Sequence, residues 1–351
     1  MAYTTIKKPS DYFNTKLYTG TATSAGNTQA ITGVGFQPDW VWIKNRGGSY
    51  QHVLYDAVRG VNKEVRSSQD IAEVDSGANG YLSGFDSDGF TTNAGTNEGN
   101  HVNNTGDNYA SWNWKANGTG SSNTDGSINS TVSANTTSGF SIVKWVGTGS
   151  NATIGHGLGV KPAMIITKPT SAVGSWYTYH KSLDATDFIK LNSTDATADN
   201  ATIWNDTEPT TSVFTTGTAF DSGRIFIAYC FADVTGYSKF GSYTGNGSTD
   251  GTFVYTGFKP AFVMVKRSSG TDNWMITDNK RSSSGGNNVI DRRILPNISN
   301  AEYTNTSPMD ILSNGFKHRD GDDINNASGS TYIYMAFAEQ PLIGDNPATA
   351  R

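Results

Sequence analysis

Apolar residues along this chain gather in short runs separated by clusters of Gly, Asn, Asp, Ser and Thr. Three runs, Trp40-Val41-Trp42-Ile43, Met164-Ile165-Ile166 and Phe262-Val263-Met264-Val265, are apolar at consecutive positions. That is the pattern of a strand covered on both faces. A proline stands just ahead of each run, at a strand's first position, where no ladder N–H is lost. Turn clusters such as Asp86-Ser87-Asp88-Gly89 and Ser313-Asn314-Gly315 precede further strands. No segment keeps a helical period with caps at its ends; a helical turn or two fits only around Tyr55 to Lys63. The pattern predicts an all-β protein.

The runs belong to a longer repeat. Gly35-Phe36-Gln37-Pro38-Asp39-Trp40-Val41-Trp42-Ile43-Lys44, Gly159 to Lys168 and Gly257 to Lys266 each carry Gly three before Pro and Lys six after it. Upstream, Lys16 to Gly20, Ile142 to Gly147 and Phe240 to Gly245 are short strands ending in Gly. Downstream, Asp56 and Arg59 keep the same offsets from the lysine as Asp278 and Arg281, while His180 and Leu183 hold those places in the middle copy. Each copy then reaches a Phe near a turn (Phe90, Phe214, Phe316) and closes on an aromatic strand: Tyr109 to Trp114, Ile225 to Phe231 or Tyr332 to Phe337.

This predicts three tandem jelly-roll or β-sandwich domains, at residues 15–115, 138–234 and 235–340. A Gly/Ser/Asn/Thr-rich linker at 116–137, with room for one strand, joins the first two. Residues 1–14 and 341–351 read as tails free to embrace neighbours. The short passage Val234 to Tyr237 predicts tight packing of the second and third domains, with the first more loosely attached.

Composition narrows the function. Of 351 residues 16% are charged, the formal net charge is −5, and no Lys/Arg run is present, so the basic patch that nucleic acid requires is missing from the sequence. The longest apolar run, Ile225 to Ala232, is far short of the roughly 20 residues of a membrane-spanning helix, and Met1 to Lys8 lacks the apolar core of a signal peptide. A single cysteine, Cys230, excludes an intrachain disulfide and reads as a small buried hydrophobe.

Several phrases resemble a family of repeat-containing proteins of marine and other tailed bacteriophages, labelled as tail, tail-fibre or virion structural proteins. They are Phe36 to Lys44, Gly155-His156-Gly157-Leu158-Gly159-Val160-Lys161-Pro162, Phe240 to Ser248, Ile333 to Glu339 and the terminal Thr349-Ala350-Arg351. The resemblance covers nearly the whole chain. It implies a lectin-like jelly roll and a non-enzymatic role on the virion, made in the bacterial host cytoplasm. The expected partners are other virion proteins and host surface polysaccharide; a homo-oligomer, a trimer foremost, is also expected, with the extra apolar strand face of each copy partly consumed in its contacts. Head decoration or tail adaptor is the alternative.

Motifs for chemistry are sparse. The six glutamates (Glu64, Glu73, Glu98, Glu208, Glu302, Glu339) form no repeated or paired motif of the kind a glycosidase needs, G-x-S-x-G is absent, and the five histidines show no ligand spacing. Asp86-Ser87-Asp88 and Asp320-Gly321-Asp322-Asp323 offer oxygen ligands for Ca²⁺, but Asp-Gly is first a turn signal, so no metal and no cofactor is expected. Gly245 to Gly251 reads as a hairpin loop rather than a phosphate cradle. Trp40, Trp42, Trp112 and Trp114 stand where sister copies carry aliphatic or other aromatic residues, which predicts packing; His52, aligned with Trp176 and Trp274, is expected to pack likewise. Lys44, Lys168 and Lys266 read as strand-end lysines that snorkel to water. The ligand-binding candidates are Tyr50, Tyr81 and Tyr177, taken as loop aromatics.

Overall fold

The computed structural model of the chain describes residues 4–75, 77–97, 101–283, 289–341, 343 and 347. It is nearly all β, built from antiparallel sheets packed as sandwiches. The first segment contains β1 (Phe13–Thr19), β2 (Thr28–Thr32), β3 (Trp40–Asn45), β4 (Val53–Asp56), β5 (Lys63–Arg66), β6 (Val74–Asp75), β7 (Tyr81–Asp86), β8 (Gly89–Asn93) and β9 (Asn108–Trp114). They form one sheet in the order β1-β9-β3-β4-β5-β6 and a second in the order β2-β8-β7.

The middle segment contains β10 (Ser121–Asn123), β11 (Ser130–Asn135), β12 (Phe140–Val146), β13 (Ala152–Gly155), β14 (Met164–Pro169), β15 (Tyr177–His180), β16 (Asp187–Lys190), β17 (Ala198–Asp199), β18 (Val213–Thr216) and β19 (Ile225–Phe231). Its sheets run β10-β11-β12-β19-β14-β15-β16-β17 and β13-β18. The last segment contains β20 (Ser238–Thr244), β21 (Phe253–Tyr255), β22 (Phe258–Arg267), β23 (Met275–Asp278), β24 (Val289–Arg293), β25 (Tyr303–Leu312), β26 (Gly315–His318) and β27 (Thr331–Pro341). Its sheets run β20-β27-β22-β23 and β21-β26-β25-β24.

In every segment the closing aromatic strand (β9, β19, β27) lies between the opening strand (β1, β12, β20) and the proline-led strand (β3, β14, β22). Pro38 and Pro162 stand ahead of their strands. Pro260 lies inside β22, and the pairing register shifts on both sides of it, a bulge that accommodates the missing N–H. The stretch from Tyr55 to Lys63 is not helical, with Gly60 at φ 92° and Asn62 at φ 61°. The helical pieces described are a 3-10 turn at Pro9–Asp11 and one turn, α1 (Ala201–Trp204). Asn200 starts α1 by accepting from Thr202 N–H, and Asn205 ends it in the left-handed region.

Four cores hold the chain. Three are sandwich interiors: Val41, Ile43, Leu82 and Phe90 in the first segment, Val143, Ile165, Ile154 and Phe214 in the second, Val263, Val265, Met309 and Phe316 in the third. The fourth is shared. Residues on the opposite faces of the long sheets, among them Trp40, Trp112, Phe231, Tyr229, Phe262 and Phe337, meet in one cluster. This explains why the proline-led strands are apolar at consecutive positions: one face fills the local sandwich and the other the common centre.

Three expectations are corrected here. The first segment is not loosely attached: Trp40 stacks on Tyr229 of the second at 4.3 Å between ring centroids, and Trp112 packs edge-on against Phe262 of the third at 6.1 Å. Nor is the chain before residue 14 a free tail from residue 4 onward. Ile6 and Phe13 are buried in the shared core, and Phe13 stacks on Phe337 at 5.1 Å. The linker carries two strands, β10 and β11, which extend the second segment's long sheet. Most of the C-terminal tail, residues 342, 344–346 and 348–351, lies outside the described residues, as does Glu98.

Candidate binding surfaces

The buried polar groups are organised by the seams between segments, and one seam pattern recurs three times. Main-chain bonds cross from first to second (Glu73 N–H to Thr170 O, 2.8 Å; Gly174 N–H to Asp70 O, 2.7 Å). They cross from second to third (Thr197 N–H to Ser268 O, 3.0 Å; Asp272 N–H to Thr194 O, 2.9 Å) and from third back to first (Glu302 N–H to Arg46 O, 2.9 Å). The three segments therefore close into a ring.

The recurring lysines are the centre of each seam. Lys44 donates to the carbonyls of Asn45 (2.7 Å), Gly48 (3.0 Å) and, across the seam, Ser299 (3.2 Å). Lys168 donates to Gly174 (2.9 Å) and across to Asp70 (3.1 Å); Lys266 donates to Arg267 (2.6 Å) and across to Thr194 (3.3 Å). All three residues are fully buried, so the snorkelling expected from the sequence is overturned. The neighbouring segment covers the strand end and supplies carbonyls in place of water. Burial pulls the Lys44 amine down to about 7, with Glu302 opposing, and the Lys168 and Lys266 amines to about 8.

Each seam also holds a second polar contact, made from the segment on the other side of it. Asp56 accepts from Arg59 Nε at 2.5 Å and from the Tyr229 hydroxyl of the second segment at 2.8 Å. Asp278 accepts from Arg281 Nε at 2.5 Å and from Trp112 Nε1 of the first segment at 3.0 Å. The middle copy, which lacks the Asp/Arg pair, places His180 there, with its Nε2 3.1 Å from Tyr334 O of the third segment. Burial pulls the His180 imidazole down to about 4, so Nε2–H donates while Nδ1 accepts from Ser182 N–H at 3.2 Å. Trp176 Nε1 donates to Arg66 O and Trp274 Nε1 to Lys190 O, both at 2.9 Å across seams. His52, at the matching position, is buried and accepts from Trp42 Nε1 at 3.0 Å.

The sequence candidates for chemistry occupy structural places. Glu64 is fully buried, takes Tyr55 OH at 2.9 Å and Arg66 Nε at 2.5 Å, and has His101 Nδ1 at 3.5 Å. Burial pushes its carboxyl up, and His101 with Arg66 more than offset that, leaving it below the usual range. Asp88 accepts from Gly33 N–H and Gly35 N–H, Asp320 from Asn325 Nδ2, and Asp322 pairs with Arg293 at 2.8 Å. The acids of each turn thus close loops, and among the described residues no group of three His, Cys, Asp or Glu converges as a metal site would. Cys230 is buried in the second sandwich.

The three candidate tyrosines are not brought together. Tyr81 begins β7 and packs on the first sandwich core, whereas Tyr177 begins β15 and packs on the second, edge-on to Phe188 at 5.4 Å. Both are strand residues rather than loop aromatics. Tyr50 is on the loop after β3, half-buried, with its ring beside Gly48.

Among the described residues the exposed aromatics are ones the sequence candidates missed: Phe253 and Tyr255 of β21, 43% and 54% exposed. Val254 between them is buried and pairs with Phe316. The register equates Val254 with Ile154 and Ile31, so Phe253 and Tyr255 stand where the sisters carry Thr153 and Gly155, or Ala30 and Thr32. That contrast is the signal by which the pair could have been found. A second apolar patch, Val146 and Ile225, pairs across β12 and β19 beside an open groove of about 250 Å³ bordered by Lys144 and Thr131.

Fold and surface thus define a ring of three sandwiches locked by buried polar seams. Residues 8–341 match the model of a domain of unknown function, DUF7483, and the chain belongs to that family. No curated protein and no solved structure matches it.

Proposed function

We propose that this protein is a non-enzymatic structural component of a bacteriophage particle, foremost a tail-fibre or spike part that touches host surface glycans. The observation that supports the reading is the ring. Its strongest polar groups are spent on seams, which suits a rigid block that bears load and presents turns rich in Asn, Gly, Ser and Thr outward. The resemblance of its phrases to phage tail proteins supplies the setting. Of the proposed glycan contacts, Tyr50 is the one on a loop; Tyr81 and Tyr177 present only the part of each ring that the cores leave open.

The homotrimer expected from the sequence rested on an apolar sheet face left over in each copy. Those faces meet one another inside a single chain, so self-association would have to use other surfaces. The exposed aromatic side chains of β21 favour a second reading, a head decoration or tail adaptor that docks onto other virion proteins. A cryo-EM map of the intact particle tests both. Density on a projecting tail structure with loop ends exposed supports attachment, density against the capsid or inside the tail machinery supports the second reading, and absence from the particle overturns both.

A further inference from the structure

We infer that the cavity between β1 of the first segment and β22, β27 and the end of β23 of the last is a binding site for one neutral sugar ring. The cavity measures about 140 Å³ and is lined by Phe13, Thr15, Ala261, Asn279 and Ala338, with the exposed Lys280 and the half-buried Glu339 beside them. Its ligand class rests on the glycan reading above; the pocket itself rests on three side-chain atoms. Asn279 is 1% exposed and Thr15 6%, yet Asn279 Nδ2, Asn279 Oδ1 and Thr15 Oγ1 have no hydrogen-bond partner among the described residues. Buried polar groups are nearly always paired, because an unpaired one forfeits its hydration for nothing in return. Three such atoms, on two residues that line one cavity, call for a partner from outside the chain.

The repeat shows that these groups are not needed to build a seam. Phe13, Phe140 and Ser238 pair with Trp114, Phe231 and Phe337 of the closing strands, so Thr15 is equivalent to Ile142 and Phe240, both fully buried. Asn279 is equivalent to Ala57 and Lys181: the three donate their N–H to the carbonyls of Ala261, Asp39 and Ala163. Ala57 has no polar side-chain group, and Lys181 pairs with Asp233. At the seam of the second and third segments Phe240 sets its ring 6.4 Å from His180. The matching residues at the third-to-first seam are Thr15 and Asp278, so a hydroxyl stands there in place of a ring and leaves space beside it. The orphan set selects the ligand. An anion would leave Asn279 Oδ1 facing another acceptor, and a cation would leave Nδ2 facing another donor. Adjacent hydroxyls can donate to the one, accept from the other and bond the Thr15 hydroxyl in either sense. The nearby charges engage one another, Glu339 with Lys259 at 2.9 Å and with Lys280 at 3.7 Å. Phe13, Ala261 and Ala338 supply an apolar wall for the C–H face of a ring. At ~30 Å³ per water the volume equals about four or five waters, room for a ring rather than for one bridging water.

The probes are methyl glucoside, methyl galactoside, methyl mannoside and N-acetylglucosamine, each added to the full chain up to about 50 mM. The readout is the Asn279 side-chain amide in NMR, identified by its loss in Asn279→Ala. The inference expects a saturable shift of that amide with at least one probe. Thr15→Val and Asn279→Ala, the latter a copy of Ala57, should each weaken binding about tenfold or more, read by saturation transfer to the sugar. The thermal midpoint of either variant without sugar should stay at or above wild type, since the groups removed had no partner. If Asn279→Ala lowers it, the nearly isosteric Thr15→Val carries the test. No shift with any of the four probes overturns the inference, as does a lowered midpoint in both variants with sugar binding unchanged. The same sugar as the end unit of an oligosaccharide separates this inference from the glycan reading. Binding of both forms supports both, and binding of the methyl glycoside alone keeps the pocket for a free sugar and counts against the glycan reading. Oligosaccharide binding that Thr15→Val leaves unchanged keeps the glycan reading and overturns the inference.

Discussion

Trp40→Ala should cost the whole ring, not one segment, about 4 kcal/mol of unfolding free energy. Trp40 is 1% exposed and touches both sides of the first seam. Its ring lies 4.4 Å from Trp114 of its own sheet, 4.3 Å from Tyr229 and 5.8 Å from Phe231 of the second segment. Truncating a buried Trp to Ala typically costs about 3–5 kcal/mol, with each aromatic pair contributing about 0.5–1.5 of that. One term works the other way: Trp40 Nε1 is buried with no hydrogen-bond partner among the described residues, so removing it relieves a desolvation cost of about 1–3 kcal/mol. The middle of the range is therefore expected for Ala, and Trp40→Phe, which keeps a ring and drops the orphan N–H, should cost much less. An unfolding entropy of about 2.1 cal/mol/K per residue makes a loss of about 4 kcal/mol a fall of about 5 °C in Tm for a chain of this length. Urea and thermal unfolding followed by far-UV circular dichroism measure it. A loss below about 1 kcal/mol, or an early separate transition of the first segment, would refute the reasoning.

The remaining predictions address the seams. Asp278→Ala leaves the fully buried Arg281 without its closest carboxylate and Trp112 Nε1 without an acceptor, and should cost about 3–5 kcal/mol by urea unfolding; a cost below about 1 kcal/mol would contradict it. The Lys44 amine titrates near 7 in the folded chain against 10.5 ordinarily, so the unfolded chain binds the extra proton and stability should rise with pH between those values. The slope from this one group is at most about 1.4 kcal/mol per pH unit. Lys44→Met should lose that rise, and parallel wild-type and variant curves would count against it. The His180 imidazole, held near 4 against 6.5, works at the acid end: its contribution is present above 6.5 and lost as pH falls toward 4. His180→Gln should flatten that fall, and an unchanged acid transition would show that His180 does not control it.

The all-β class was legible because turn formers and strand runs alternate along the whole chain, and the burial of Trp40, Trp42, Trp112 and Trp114 followed from comparing them with their sisters. The seams were not legible. A lysine after an apolar strand reads the same whether water or a neighbouring segment's carbonyls lie beyond it, and only the ring places Ser299, Asp70 and Thr194 over Lys44, Lys168 and Lys266. The same gap hid the use of the extra apolar faces, since sequence shows that a face must be covered but not by what. Phe253 and Tyr255 were passed over because aromatics in a strand run look like core. Only pairing with Lys317 and Gly315, around the buried Val254, shows that they point outward.

The central claim is that three sandwich segments form one closed cooperative body, and native-state hydrogen exchange tests it most directly. The amides of Trp42, Ile166 and Met264 occupy matching positions in β3, β14 and β22, one in each segment, and all three residues are buried. The account predicts that all three exchange only through global unfolding, with one common free energy that falls equally in Trp40→Ala. A markedly lower free energy for Trp42 alone would mean that the first segment opens independently and that the ring is not a single cooperative unit.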